Sequence, residues 1–208
     1  MRIASLSLLA LCLTLAAVPA MAQTVYSNGP ANGNTDAWTI NFGFVVSDTF
    51  NVANDGTTIT GFSMYDWLFP GDTLTSAEIN ISTGENGGTS LFDQVVNFTQ
   101  SACSSNGFGY NVCLESSTFS GPTLNAGTYW INLENASVPS GDPVYWDENS
   151  GASSASENSV GSIPSEAFTV NGSSGSGSGT GTVPEPSSIM LFGSGILGLA
   201  GVLRRRLF

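Results

Sequence analysis

The sequence predicts an all-β fold, a single antiparallel β-sandwich or jelly-roll domain, and three observations predict it. Trp38, Ile40, Phe42, Phe44 and Val46 alternate with Ala37, Thr39, Asn41, Gly43 and Val45, the period of two that marks a half-buried strand. Turn-forming stretches such as "NDGT", "PGDT", "GENGG", "SSNGFG", "NAGT" and "PSGD" punctuate the chain at short intervals. No segment before Ser187 sustains the helical period of 3.6. Many short strands joined by Gly- and Asn-rich turns fit two packed sheets.

Taken in order, Met1–Ala22 reads as a secretory signal peptide. Arg2 precedes an apolar run from Leu6 to Val18, and the small residues of Ala20-Met21-Ala22 end it. Cleavage after Ala22 is expected. The sandwich domain is expected over residues 23–170, long enough to bury roughly two-thirds of its unfolded surface. After the alternating strand at 37–46, runs at Thr57–Met64, Ala77–Ser82, Leu91–Phe98, Tyr110–Phe119, Gly127–Leu133, Pro143–Trp146 and Ala167–Val170 supply the further strands. Residues 171–183 form a Gly/Ser-rich linker with almost nothing apolar to bury. The last segment, 184–208, holds Pro184-Glu185-Pro186, an uncharged stretch from Ser187 to Leu203, and Arg204-Arg205-Arg206. A helix over 187–203 would span about 25 Å, enough to cross a bilayer at the lower limit, with the arginines held on the cytoplasmic side.

Charge narrows the partners. The chain has four Lys plus Arg, sixteen Asp plus Glu, no His and a formal net charge of −12. The four are all Arg, and one lies in the signal segment and three at the tail, so Gln23 to Leu203 carries no cationic side chain. Such a surface has nothing with which to neutralise phosphates, so no nucleic acid is expected as a partner. Cations and neutral sugars stay open. Cys103 and Cys113 are the only cysteines outside the signal segment. In an exported chain they are expected to pair across a turn containing Gly107 and Gly109, contributing about 3 kcal/mol by chain entropy.

The ending, "VPEPSSIMLFGSGILGLAGVLRRRLF", resembles a PEP-CTERM sorting signal: a Pro-Glu-Pro motif, a Gly-rich apolar helix and an Arg cluster in order. That resemblance implies a gram-negative bacterium that makes extracellular polysaccharide. It further implies processing by exosortase, a membrane-embedded cysteine peptidase or transpeptidase. Pro184, Glu185 and Pro186 would be the recognised motif and Arg204, Arg205 and Arg206 the cytoplasmic stop. The protein would be held in the membrane by its C-terminal helix until processed, then reach the cell surface or matrix. "SDTFNV" and "LNAGTYWINL" also resemble the β-rich bodies that precede such tails, with Ser47-Asp48-Thr49-Phe50 where a double acid recurs.

The chemistry is sparse. Without His or Lys, the Ser-His-Asp and Cys-His constellations cannot be assembled, and no P-loop or dinucleotide fingerprint occurs. No enzyme is expected, paired carboxylates of a glycosidase being the one catalytic option left. No cofactor is expected, with calcium the exception at Asp142, Asp147 and Glu148 in "SGDPVYWDENSG", where several oxygen ligands crowd a loop. Adjacent residues of an extended chain point to opposite faces, so Asp147 and Glu148 cannot act as a pair. The same alternation leaves Trp130, Tyr145 and loop-borne Trp67 as aromatics suited to stacking on sugars. The expected role is structural or adhesive among extracellular polysaccharides of a biofilm matrix, the alternative a calcium-assisted carbohydrate-binding module.

Overall fold

The computed structural model describes residues 23–173, and every element among them is a β-strand or a turn. The signal peptide expected at 1–22, most of the expected linker, the sorting motif, the helix at 187–203 and the arginines lie outside the described residues. Fourteen strands run in order: β1 Gln23–Ser27, β2 Ala37–Thr39, β3 Val46–Val52, β4 Thr57–Leu68, β5 Ser76–Ser82, β6 Ser90–Asn97, β7 Thr99–Ser105, β8 Asn111–Thr118, β9 Thr123–Leu124, β10 Gly127–Ser137, β11 Tyr145–Asp147, β12 Ala155–Glu157, β13 Gly161–Ile163 and β14 Phe168–Ser173.

They form two antiparallel sheets. The first has the order β1-β14-β4-β11-β2, with β8 and β9 also on the long β4 and β7 on β8. The second has the order β13-β12-β3-β10-β5-β6. Inward alternation builds the core between them. Val46, Phe50 and Val52 of β3, Ile79 and Ile81 of β5, and Ile131 and Leu133 of β10 face Phe62, Met64 and Leu68 of β4, Trp146 of β11 and Phe168 and Val170 of β14. Trp146 lies edge-on to Phe62 at 5.9 Å and to Phe168 at 5.5 Å. Its indole N–H donates to the Ala167 carbonyl at 3.2 Å, so the largest buried ring leaves no polar atom unpaired.

The alternating stretch at 37–46 is not one strand. β2 ends at Thr39, and the chain crosses between sheets through a turn in which Phe42 takes φ 58° and Gly43 φ 87°. Phe42 is 65 % exposed and Phe44 38 %. The local pattern carries no information about which sheet each half joins, and β2 and β3 belong to different ones. The last strand also outruns its expected end at 170. Asn171 pairs with Gly61 and Thr24, and Gly172 with Ile59 and Gln23. A Cβ at Gly172 would collide with the Thr58 carbonyl and the Val25 side chain, so this glycine serves close backbone approach and not a flexible spacer.

β7 and β8 form a hairpin in which Cys103 and Cys113 stand directly opposite and are joined as a disulfide. The turn between them uses Gly109 at φ 89° and is held by the Asn106 side chain, which accepts from Phe108 N and Tyr110 N, both at 3.0 Å. β7 is an edge strand, and the covalent link fixes it where hydrogen bonds on one side alone hold it.

Candidate functional site

Three features of the described residues bear chemistry: a group of aromatic rings on the first sheet, a polar patch around Trp130 on the second, and carboxylates buried without a cation. The rings come together because register places them so. Tyr145 pairs with Trp67 across β11 and β4, and the β7–β8 turn brings Phe108 and Tyr110 over them. Phe108 stacks on Trp67 with centroids 5.6 Å apart and planes 18° apart. Tyr110 lies 5.8 Å from Trp67, 5.6 Å from Tyr145 and 4.9 Å from Phe69.

Trp67 is therefore not the exposed loop aromatic that the sequence led us to expect. It belongs to β4, is 6 % exposed, and donates its indole N–H to Asp147 Oδ1 at 2.5 Å. Its face is covered by Phe108, which is 60 % exposed and presents the group's outermost ring. Tyr145 stays partly exposed. Phe108, Tyr110 and Phe69 were not singled out in the sequence. The position of Phe108 and Tyr110 in "SSNGFGY", and of Phe69 directly before "PGDT", was the available signal, since aromatic residues in or beside a tight turn have no core to enter.

Trp130 is on the other sheet. It lies between Thr49 of β3 and Ser82 of β5, half-buried, and among the described residues no aromatic ring pairs with it. Beside it a loop folds over the sheet and fastens to Asn132. Ser47 Oγ and Gly87 N donate to Asn132 Oδ1 at 2.7 and 3.1 Å, and Asn132 Nδ2 donates to the Asn80 carbonyl at 3.0 Å and Ser82 Oγ at 2.9 Å. The trio of Trp130, Tyr145 and Trp67 is thus divided between two faces.

The expected calcium ligands separate as well. Asp147 accepts from Asn32 N and Gly33 N at 2.9 Å each, besides Trp67. Burial raises its pKa, and these three donors oppose the rise. Glu148 points the other way and accepts from Trp38 Nε1 at 3.3 Å. Asp142 is in the turn beyond, where its carbonyl accepts from Asn41 Nδ2. Among the described residues these three carboxylates do not converge on one point. The opposite orientation of Asp147 and Glu148 follows the strand alternation inferred from their adjacency.

Four further acids are buried as fully as Asp147. Glu166 stands opposite Glu148 in an isolated antiparallel bridge, fully buried, with neither carboxylate oxygen hydrogen-bonded. Burial, then the charges of Asp48, Glu148, Asp147 and Asp36, raise its pKa well above the usual range. Asp48 of β3 accepts from Thr49 N at 2.6 Å and Glu166 N at 2.7 Å, yet burial still pushes it up to about 6. On β4 and β8, Asp66 and Glu115 are fully buried. Burial lifts Glu115 to about 8, and burial together with Glu115 lifts Asp66 well above the usual carboxylate range. A parity signal existed for both. Asp66 follows inward Met64, and Glu115 follows inward Cys113, each by two residues.

Beyond the sandwich, residues 182–206 match a family described as the PEP-CTERM protein-sorting motif. The chain carries a PEP-CTERM sorting signal. The match includes Pro184, Glu185, Pro186 and Arg204 to Arg206. A PEP-CTERM signal implies export, cell-surface sorting and processing by exosortase. No curated protein matches this PEP-CTERM chain.

Proposed function

We propose that this exported protein serves a structural or adhesive role in the exopolysaccharide or biofilm matrix of a bacterial surface, without catalysis. The observation that carries the reading is the sorting motif at 182–206 behind a β-sandwich that has no cationic side chain. In this reading the helix at 187–203 holds Pro184-Glu185-Pro186 at the outer membrane–water boundary, Arg204 to Arg206 keep the end inside, and exosortase cuts near the motif. The freed domain is strongly acidic and repels anionic lipid heads, which favours partition into a sugar-rich matrix.

The test is mass spectrometry of the protein recovered from its host's surface and medium. An N-terminus at Gln23 and a C-terminus between residues 183 and 188 are expected. Persistence of Arg204–Phe208 in the surface form would overturn the processing reading and leave a membrane-anchored ectodomain.

A second reading, carbohydrate binding, is favoured by the ring group on the first sheet. Phe108 offers an open face over Trp67, and Tyr145 and Tyr110 flank it. Aromatic faces suit the apolar faces of sugars, and Asp and Asn side chains suit their hydroxyls. Phe108→Ala is expected to cost under 1 kcal/mol of stability, as an exposed turn residue, and to abolish glycan-array signal. Trp130→Ala, on the other sheet, is expected to leave that signal intact. A flat array for the parent protein would sink this reading; loss only with Trp130→Ala would move the site to the second sheet.

A further inference from the structure

Between β4, β8 and β7 the sandwich buries an acid pair in surroundings rich in unused oxygen. Asp66 lies opposite Cys113 across β4 and β8, and Glu115 follows two residues along on the same inward face. Carboxylate oxygens of the two residues and Cys113 Sγ all lie within 4.8 Å of one another. Cys113 is spent in the disulfide, so the sulfur marks the place and cannot ligate.

Neither oxygen of Asp66 nor of Glu115 has a hydrogen-bond partner. One neutral group repeats the pattern. Gln100 pairs with Glu115 across β7 and β8, its Nε2 donates to the disulfide sulfur of Cys103 at 2.9 Å, and its Oε1 is buried and unpartnered. Two carboxylates and an amide carbonyl thus gather on three adjacent strands, all lacking donors, in a chain with no cationic side chain between Gln23 and Leu203.

We propose that Asp66 and Glu115, completed by Gln100, bind a hard divalent cation of the calcium class. Buried charge persists in proteins when it is paired or coordinates a metal, and no protein cation exists to pair with these. Calcium takes six to eight oxygens, mixing carboxylates with neutral carbonyls and water, and these three side chains offer five.

The other buried acids do not compete. Both oxygens of Asp48 accept backbone N–H groups, Asp147 is saturated by three donors, and no third ligand joins Glu148 and Glu166 within the same reach. The site ties edge strand β7 to the long β4 through its neighbour, so the ion would act as a staple beside the disulfide.

Calcium chloride titrated into the EDTA-treated full chain in detergent tests this, with calorimetry for binding and a thermal melt for its consequence. One-to-one saturation with a raised melting temperature is expected. Affinity should fall at least tenfold in Asp66→Asn, severalfold in Gln100→Ala, and stay unchanged in Glu166→Gln. Absence of saturable binding at millimolar calcium would overturn the proposal. So would unchanged affinity in Asp66→Asn, or a loss confined to Glu166→Gln. Should Asp66→Asn not fold, Gln100→Ala decides, because full affinity in it would equally overturn the proposal.

Discussion

Asp147→Ala is expected to destabilise the domain by about 4 kcal/mol, the largest single effect among its polar residues. The carboxylate is fully buried and receives three donors, Asn32 N and Gly33 N at 2.9 Å and Trp67 Nε1 at 2.5 Å. Removing it strands all three, and each buried donor left unpaired costs about 1–3 kcal/mol, less where water reaches it. Asn32 is partly exposed and recovers some of that loss. Asp147→Asn is expected to cost roughly half as much. It keeps one acceptor oxygen, but its NH₂ group then faces a backbone N–H. The effect should extend to the surface, because Trp67 is the ring on which Phe108 stacks. Urea denaturation of both variants measures this, and a loss under 1 kcal/mol for Asp147→Ala would refute the assignment. No other residue among those described accepts from the Trp67 indole.

Stability is expected to fall as pH rises from 5 to 8, opposite to the usual behaviour of salt-bridged carboxylates. Asp48 has its folded pKa raised by burial from 3.8 to about 6. Glu166 is raised well above 4.5 by burial and by Asp48, Glu148, Asp147 and Asp36 around it. A group with a raised folded pKa binds more protons when folded. Its contribution is complete below its unfolded pKa and disappears as pH climbs through the folded one. Each such proton costs about 1.4 kcal/mol per pH unit across that window. For Asp48 the window runs from about 4 to about 6, a loss of about 2–3 kcal/mol; for Glu166 it continues upward. Glu166→Gln removes the second contribution and keeps the shape, so it should be more stable than the parent at pH 8 and show a shallower slope. Denaturation midpoints in EDTA at four pH values test it. A flat parent profile, or a variant that loses stability faster than the parent, would refute it.

Strand-level structure was readable wherever alternation and turn chemistry agreed. Gly127–Leu133 reads inward at Tyr129, Ile131 and Leu133 and folds that way, since period two is a local property of extended backbone. Cys103 and Cys113 were readable as a pair because a hairpin turn lies between them. The failures have one cause. Residues 37–46 alternate throughout, but Phe42 and Phe44 turn outward because the chain changes sheets there. Trp67 looked like a loop residue because "PGDT" follows closely, yet β4 runs on to Leu68 and is flanked by β8 and β11. The acids at 66, 115 and 166 stood at inward positions in plain view. Only the absence of a partner on the neighbouring strands makes them notable, and no local pattern shows which strands those are.

By itself, then, the sequence determined that the described domain is all-β, that its surface lacks cations and that a PEP-CTERM signal follows it, because composition, alternation and a contiguous motif are all local properties. Tertiary structure alone decided which aromatics meet, which carboxylates are satisfied and which are stranded. Those depend on sheet order and register, where residues far apart in the chain, such as Asp66 and Glu115 or Asp48 and Glu166, become neighbours. Register is set by the packing of two whole faces against each other, and no short stretch of sequence carries it.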